Sequence, residues 1–189
     1  MKSISIKGTK REVVGKKDAK RLRTEGLVPG VLYGGNEPVH FYAPEKEFKP
    51  LIYTPNVYLV DLDIDGTVCQ SIIQDTQFHP VREQLMHVDF LRTSDDKMVK
   101  VEIPVKVEGF AKGIRNGGKL KLNLRTLKVK AMVKYLPDYI VINVDDLDIG
   151  QSYKVGALVR ENLEFLNAKA VPVVTIMITR AAKAAAGKG

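Results

Sequence analysis

Short segments in which apolar and polar residues alternate run through most of this chain, separated by glycine and proline. Strict alternation is the pattern of a strand with one buried face, so the chain is limited to a mainly β fold. The clearest pair, 56–64 and 67–78, flanks Asp65-Gly66. Because this dipeptide favours a two-residue turn, we predict that the two segments form a β-hairpin.

The same pattern predicts the remaining elements. In the first half, strands are predicted at 3–7, 27–33, 39–42 and 86–91, and short helices at 16–25 and 45–53. After a polar stretch at 93–97, strands are predicted at 99–108, 119–122, 127–133, 139–144 and 171–179. We therefore predict a first domain at 1–93, an all-β second domain at 94–180, and a disordered basic tail at 181–189.

Charge is distributed unevenly along the 189 residues, which carry a formal net charge of +8. Residues 1–25 contain nine basic and three acidic residues, whereas 26–93 contain four and nine. From 94 onward there are seventeen and ten, with most of the excess between Lys97 and Lys134. Such basic stretches favour a polyanion as partner.

Cysteine and histidine are scarce. The single cysteine, Cys69, leaves no disulfide framework, so we expect a reducing, cytoplasmic location. Three histidines and one cysteine make a poor metal inventory, and we expect neither a metal nor a cofactor. No apolar run approaches the roughly 20 residues of a membrane span.

The helix predicted at 16–25 has a basic outer side. Helical spacing places Ala19 and Leu22 toward the body of the protein. It places five basic residues outward: Lys16, Lys17, Lys20, Arg21 and Arg23. Stacked like charges repel, and a polyanion would reverse that effect. The helix is therefore a candidate phosphate-binding surface, with an ordinary solvated face as the alternative.

A polar pair is predicted on the strand at 86–91. Alternation sends Met86, Val88 and Phe90 to the core and leaves His87 beside Asp89 on the outer face. The pair resembles the base and carboxylate of a hydrolase, but no serine or cysteine nucleophile motif accompanies it. Hydrogen bonding to RNA is the other use of such a pair. Tyr33, at a strand end before two glycines, could stack on a base.

Three motifs occur in order: KKDAKRLR at 16–23, VPGVLYGG at 28–35 and QDTQFHPVREQLMHVDFLR at 74–92. Together they resemble the family of bacterial large-subunit ribosomal proteins, number twenty-five, that binds 5S rRNA. The segments VEGFAKGIRNGG at 107–118 and LDIG at 147–150 resemble the second domain of its long form, the CTC or general stress protein type. The resemblance covers nearly the whole chain.

This resemblance implies a non-enzymatic, RNA-binding protein. Its first domain would be a small β-barrel with helices that docks onto 5S rRNA, and its second would be β-rich. The family's RNA-contacting positions fall on Arg11, Lys16, Lys20, Arg21, Tyr33, Gln74, His87 and Asp89. Arg23 joins them through the helix geometry, with less support from the family. The family often has arginine at the position of Lys20, a change that a phosphate contact tolerates.

Partners follow from the same resemblance. We expect 5S rRNA and the large ribosomal subunit, with neighbouring ribosomal proteins or 23S rRNA as possible contacts of the second domain. We expect no membrane partner and a monomer off the ribosome. The alternative is an RNA-binding stress protein whose C-terminal β-domain is a protein–protein interaction module.

Overall fold

The computed structural model describes residues 2–35, 37–94 and 96–179, so the tail predicted at 181–189 lies outside the described residues. The chain divides into two compact units. The first unit comprises Met1–Val99 with Met132–Leu136, and the second comprises Lys100–Ala131 with the segment from Pro137 onward.

The first unit is a closed six-stranded barrel with two helices. Its elements are β1 (Lys2–Lys10), α1 (Lys16–Thr24), β2 (Leu27–Tyr33), β3 (Val39–Pro44), α2 (Glu45–Ile52), β4 (Tyr58–Ile64), β5 (Thr67–Phe78) and β6 (Leu85–Arg92). Around the barrel the order is β1-β3-β2-β6-β5-β4, and β4 closes it by pairing with β1. The β1–β4 and β2–β6 pairs are parallel, and the others are antiparallel. The predicted mainly β fold with an N-terminal barrel is confirmed.

The hairpin predicted around Asp65-Gly66 is present between β4 and β5. Ile64 faces Thr67 across the turn. Asp65 and Gly66 have φ values of 49° and 88°, the positive values that a type I′ turn needs at both central residues. The dipeptide therefore sets the register of this strand pair.

The barrel interior is filled by apolar side chains from every strand and from α2. Three phenylalanines form its centre, with the Phe90 ring centroid 5.8 Å from that of Phe41 and 6.3 Å from that of Phe48. Val88 and Phe90 are fully buried, as the alternation in β6 predicts, whereas Met86 is only half-buried. The opposite face of β6 is thus left for other contacts.

The rest of the chain is also mainly strand. Its elements are β7 (Met98–Glu108), α3 (Lys112–Arg115), β8 (Lys119–Leu122), β9 (Thr126–Met132), β10 (Ile140–Asn143), β11 (Ser152–Lys154), β12 (Glu164–Phe165) and β13 (Pro172–Met177). They form a four-stranded sheet, β10-β7-β9-β12, and a three-stranded sheet, β11-β13-β8.

Three of these elements were not predicted from the sequence pattern. The stretch 109–118 lies between two predicted strands of the all-β second domain, and it contains the helical turn α3. The strands β11 and β12 have three and two residues, too few to show a period of two. Of the helices in the described residues, none has the length and apolar character needed to cross a membrane.

Candidate nucleic-acid interface

The outer side of α1 is a basic surface. The helix packs against β2 with Leu22 buried beneath it. Four basic side chains are exposed: Lys16, Lys17, Lys20 and Arg21. None of the three lysines forms an ion pair with any described residue. Their charges are therefore available to a polyanion. Of the five residues that helical spacing places outward, Arg23 is the exception, because its side chain is half-buried.

Asp18 lies between two arginines at the base of this surface. Its Oδ2 accepts hydrogen bonds from Arg11 Nη2 at 2.8 Å and Nε at 3.2 Å, while its Oδ1 accepts one from Arg21 Nη2 at 2.7 Å. The hydrogen bonds from Arg21 and Arg11 hold the pKa of the Asp18 carboxyl below its usual value. One carboxylate thus binds two guanidinium groups, so the cluster of these three side chains keeps one net positive charge.

The two arginines differ in exposure. The Arg11 side chain is only 6% exposed, whereas that of Arg21 is 66% exposed. Arg11 therefore braces the helix from inside, and Arg21 presents its guanidinium group to solvent. The family resemblance gives both arginines as RNA-contacting positions, and no local feature of the sequence shows that Asp18 lies between them.

Arg23 links the basic helix to the barrel. Its Nε donates a hydrogen bond of 3.0 Å to the backbone carbonyl oxygen of Met86, and Gln84 Nε2 lies 3.5 Å from the Arg23 carbonyl oxygen. The side chain is directed toward β6 and is half-buried. Arg23 thus holds the C-terminal end of α1 beside the start of β6.

His87 and Asp89 form a hydrogen-bonded pair on the outer face of β6. His87 Nδ1 lies 2.6 Å from Asp89 Oδ1, and the two side chains are 24% and 29% exposed. When Nδ1 carries the proton, it donates to Asp89, and Nε2 is left for a ligand. Nε2 makes no hydrogen bond to any described residue. The pair is thus fixed in orientation and still accessible.

A β-bulge in β5 adds two side chains to this face. The register runs from Ile73 opposite Phe90 to Asp75 opposite Asp89, which makes Gln74 the extra residue. Farther along, Gln77 faces His87.

The bulge thus brings Asp75 and Gln77 to the outer face beside the predicted pair. Neither residue was predicted from the sequence, because a bulge leaves no reliable trace in an alternating pattern. The only available signal was their position inside the motif at 74–92.

Tyr33 lies on β2, the other neighbour of β6. Across the parallel pair, Val31 is opposite Asp89 and Tyr33 is opposite Leu91. Partial burial, followed by the negative charges of Asp89 and Asp75, raises the pKa of the Tyr33 phenol. The hydroxyl therefore stays protonated at neutral pH and can donate a hydrogen bond. The residue is 36% exposed, enough to contact a base.

The nine predicted site residues therefore fall into three groups within one unit. Lys16, Lys20 and Arg21 lie on the exposed side of α1, while Arg11 and Arg23 secure that helix from beneath. The remaining four lie on three adjacent strands: Tyr33, Gln74, His87 and Asp89. Positive charge and directed polar groups thus meet where α1 approaches β6.

Comparison with known proteins identifies the family of this arrangement. The model of the ribosomal L25p family matches residues 6–90, a segment that contains all nine predicted site residues. The model of the ribosomal protein TL5 C-terminal domain matches residues 98–180. The chain belongs to the ribosomal L25p family. This confirms the resemblance drawn from the sequence motifs, including its long, two-domain form. Members of the ribosomal L25p family are structural proteins and not enzymes, so the His87–Asp89 pair is not a hydrolase site.

Relatives are similar along the whole length. A protein of Phocaeicola vulgatus named large ribosomal subunit protein bL25 is 47% identical over 193 residues, covering 98% of each chain. Proteins of the same name from Bacteroides fragilis and Amoebophilus asiaticus are 45% and 42% identical. The alignments cover all of this chain, with 100% and 98% of the relatives.

Proposed function

We propose that this protein is a cytoplasmic, structural constituent of the large ribosomal subunit that binds 5S rRNA through its first unit. The names of its full-length relatives support the assignment to the large subunit. The main structural support for this RNA-binding site is the Arg23–Met86 hydrogen bond, which joins the basic helix to the His87–Asp89 face. In this proposal, residues 1–93 form the RNA-binding domain and 94–180 a second β-rich domain.

The exposed side of α1 supplies the phosphate contacts. Lys16, Lys20 and Arg21 project from a helix that carries a single carboxylate, already engaged by two arginines. Neutralising phosphates with these groups releases counterions, so the affinity falls as salt rises. Such contacts position the protein on RNA without reading its sequence.

The outer face of β2, β6 and β5 supplies the directed contacts. The wide, shallow minor groove of RNA displays 2′-hydroxyl groups and base edges. His87 Nε2 and the protonated Tyr33 hydroxyl are suited to form hydrogen bonds with these groups. The Asp89 carboxylate contributes acceptors, and the Gln74 amide contributes both acceptors and donors. The acidic character of Asp75 and Asp89 disfavours phosphate here, so this face reads groove edges while α1 holds the backbone.

A salt titration of 5S rRNA binding tests the proposal. The full-length Arg21→Ala variant should bind 5S rRNA several-fold more weakly, and its plot of log affinity against log salt should be less steep by about one. Lys46→Ala is the matched control, because Lys46 is an exposed lysine on the other helix of the same unit. Wild-type affinity and slope in Arg21→Ala, measured by filter binding, would contradict the assignment.

A further inference from the structure

Lysines of the second unit differ in whether acidic side chains neutralise them. On the four-stranded sheet, three lysines have glutamate partners at 3.4–3.6 Å: Lys106 with Glu108, Lys128 with Glu102, and Lys130 with Glu164. These pairs are exposed and contribute little stability. They do cancel the charge of that sheet locally, so the basic excess of the sequence is not spread evenly over the unit.

The three-stranded sheet keeps its positive charge. Lys119 and Lys121 are exposed on β8, two residues apart, and therefore project from the same face. Neither forms an ion pair with any described residue. The strands β8, β11 and β13 contain no acidic residue. This face thus has a net positive charge that no acidic residue of its own three strands offsets.

Polar groups surround Lys121 on the same face. Thr175 lies on the central strand, β13. It is paired with Lys121 of β8 on one side and with Ser152 of β11 on the other side. Thr175 Oγ1 accepts a hydrogen bond of 2.7 Å from Asn123 Nδ2 and lies 2.9 Å from Ser152 Oγ. Hydroxyl and amide groups of this kind donate to phosphate and ribose oxygens in nucleic-acid complexes. The face therefore combines cations with ordered hydrogen-bonding groups.

We propose that the outer face of the β11-β13-β8 sheet binds the phosphate backbone of ribosomal RNA, with Lys119 and Lys121 contacting neighbouring phosphates of one strand. This inference rests on the proposed function, because a place in the large subunit supplies the RNA. The two lysines lie about 6.6 Å apart along the strand, and their long side chains reach adjacent groups of a backbone. No salt bridge has to be broken first, unlike at Lys106 or Lys128.

The test compares two double variants of the full-length protein that remove the same charge. Lys119→Gln/Lys121→Gln removes the unneutralised lysines, and Lys106→Gln/Lys128→Gln removes two that have glutamate partners. Binding is measured against large ribosomal subunits that lack this protein, over a range of salt concentrations. The first variant should bind roughly tenfold more weakly, with a salt slope less steep by about two. The second should stay within about twofold of the wild type.

Two further measurements separate this inference from its rivals. Binding to isolated 5S rRNA tests the first unit. If the wild-type protein did not bind isolated 5S rRNA, the proposed function would be wrong, and the comparison of the two double variants on large subunits would still be valid. A photocrosslinker at position 121 should attach to RNA in assembled subunits. Crosslinks only to protein, or wild-type affinity and slope in Lys119→Gln/Lys121→Gln, would overturn the inference. So would aggregation of that variant with unchanged subunit binding, because the lysines would then only protect an edge strand.

Discussion

The Arg23 side chain donates a hydrogen bond of 3.0 Å to the carbonyl oxygen of Met86, the residue that precedes His87. This bond fixes the end of the basic helix next to the polar pair on β6. A guanidinium group from the basic run thus serves to position the site, while its neighbours on the outer side of α1 remain exposed.

Replacing Arg23 should distinguish two roles of this side chain, which are to position α1 and to contact phosphate through its charge. We expect Arg23→Ala to destabilise the first unit by about 1 kcal/mol, the typical contribution of one hydrogen bond. Its affinity for 5S rRNA should fall, and its salt slope should change less than that of Arg21→Ala, because the side chain holds the helix and does not contact phosphate. Urea unfolding and salt-dependent filter binding measure the two effects. A slope reduced as much as in Arg21→Ala would instead make Arg23 a phosphate contact.

Gly30 in the VPGVLYGG motif is required by packing. A Cβ there would lie 2.8 Å from the Phe41 ring and 2.9 Å from the Val88 carbonyl oxygen. We expect Gly30→Ala to destabilise the barrel by about 1–3 kcal/mol through overpacking. Gly15→Ala is the control, because a Cβ at that position has nothing within 4 Å. Equal unfolding midpoints for the two variants in urea would contradict this expectation, because the core around Gly30 would then accommodate the added methyl group.

Asp18 should make stability depend on pH. Its carboxyl has a pKa below the ordinary value of 3.8 because it accepts hydrogen bonds from Arg21 and Arg11. The ionised group therefore contributes stability that is fully present above that ordinary value and is lost as pH falls through the lowered one.

Asp18→Asn should accordingly be less stable than the wild type at pH 7, and the difference should shrink at acidic pH below 3.8. Thermal or urea unfolding at several pH values measures it. Glu37→Gln, at an exposed loop carboxyl, should show no such difference. A wild-type advantage over Asp18→Asn that persists unchanged at low pH would mean that packing, and not the charge, is responsible.

His87 should contribute a directed hydrogen bond more than a charge. We expect His87→Ala to bind 5S rRNA about tenfold more weakly, which corresponds to the loss of one buried hydrogen bond. The salt slope should change less than in Arg21→Ala. Isothermal titration at two salt concentrations gives both quantities. If binding were unaffected, the outer face of β6 would not be part of the interface.

Elements with a strong local signal were predictable from the sequence. The strand β8 has the predicted bounds, the Asp65-Gly66 turn is present, and the helix predicted at 16–25 is α1. Hydrophobic periodicity and turn chemistry are local, so one segment suffices to read them.

What could not be predicted depends on contacts between distant residues. The position of Asp18 between Arg11 and Arg21 requires the fold, since α1 must first pack beside the end of β1. The bulge at Gln74 arises from pairing with β6, and it alone brings Asp75 opposite Asp89. The charge balance of the second unit likewise emerges only when strands are placed side by side.

Site-specific crosslinking in assembled large subunits is the decisive experiment on whether the first unit binds 5S rRNA. A photocrosslinker is placed in turn at Lys20, Tyr33 and His87, with Lys46 on α2 as the control position. We expect the first three positions to crosslink to 5S rRNA and the control position not to do so. Crosslinks from Lys20 and His87 to protein or to other RNA, together with 5S rRNA crosslinks from Lys46, would contradict it.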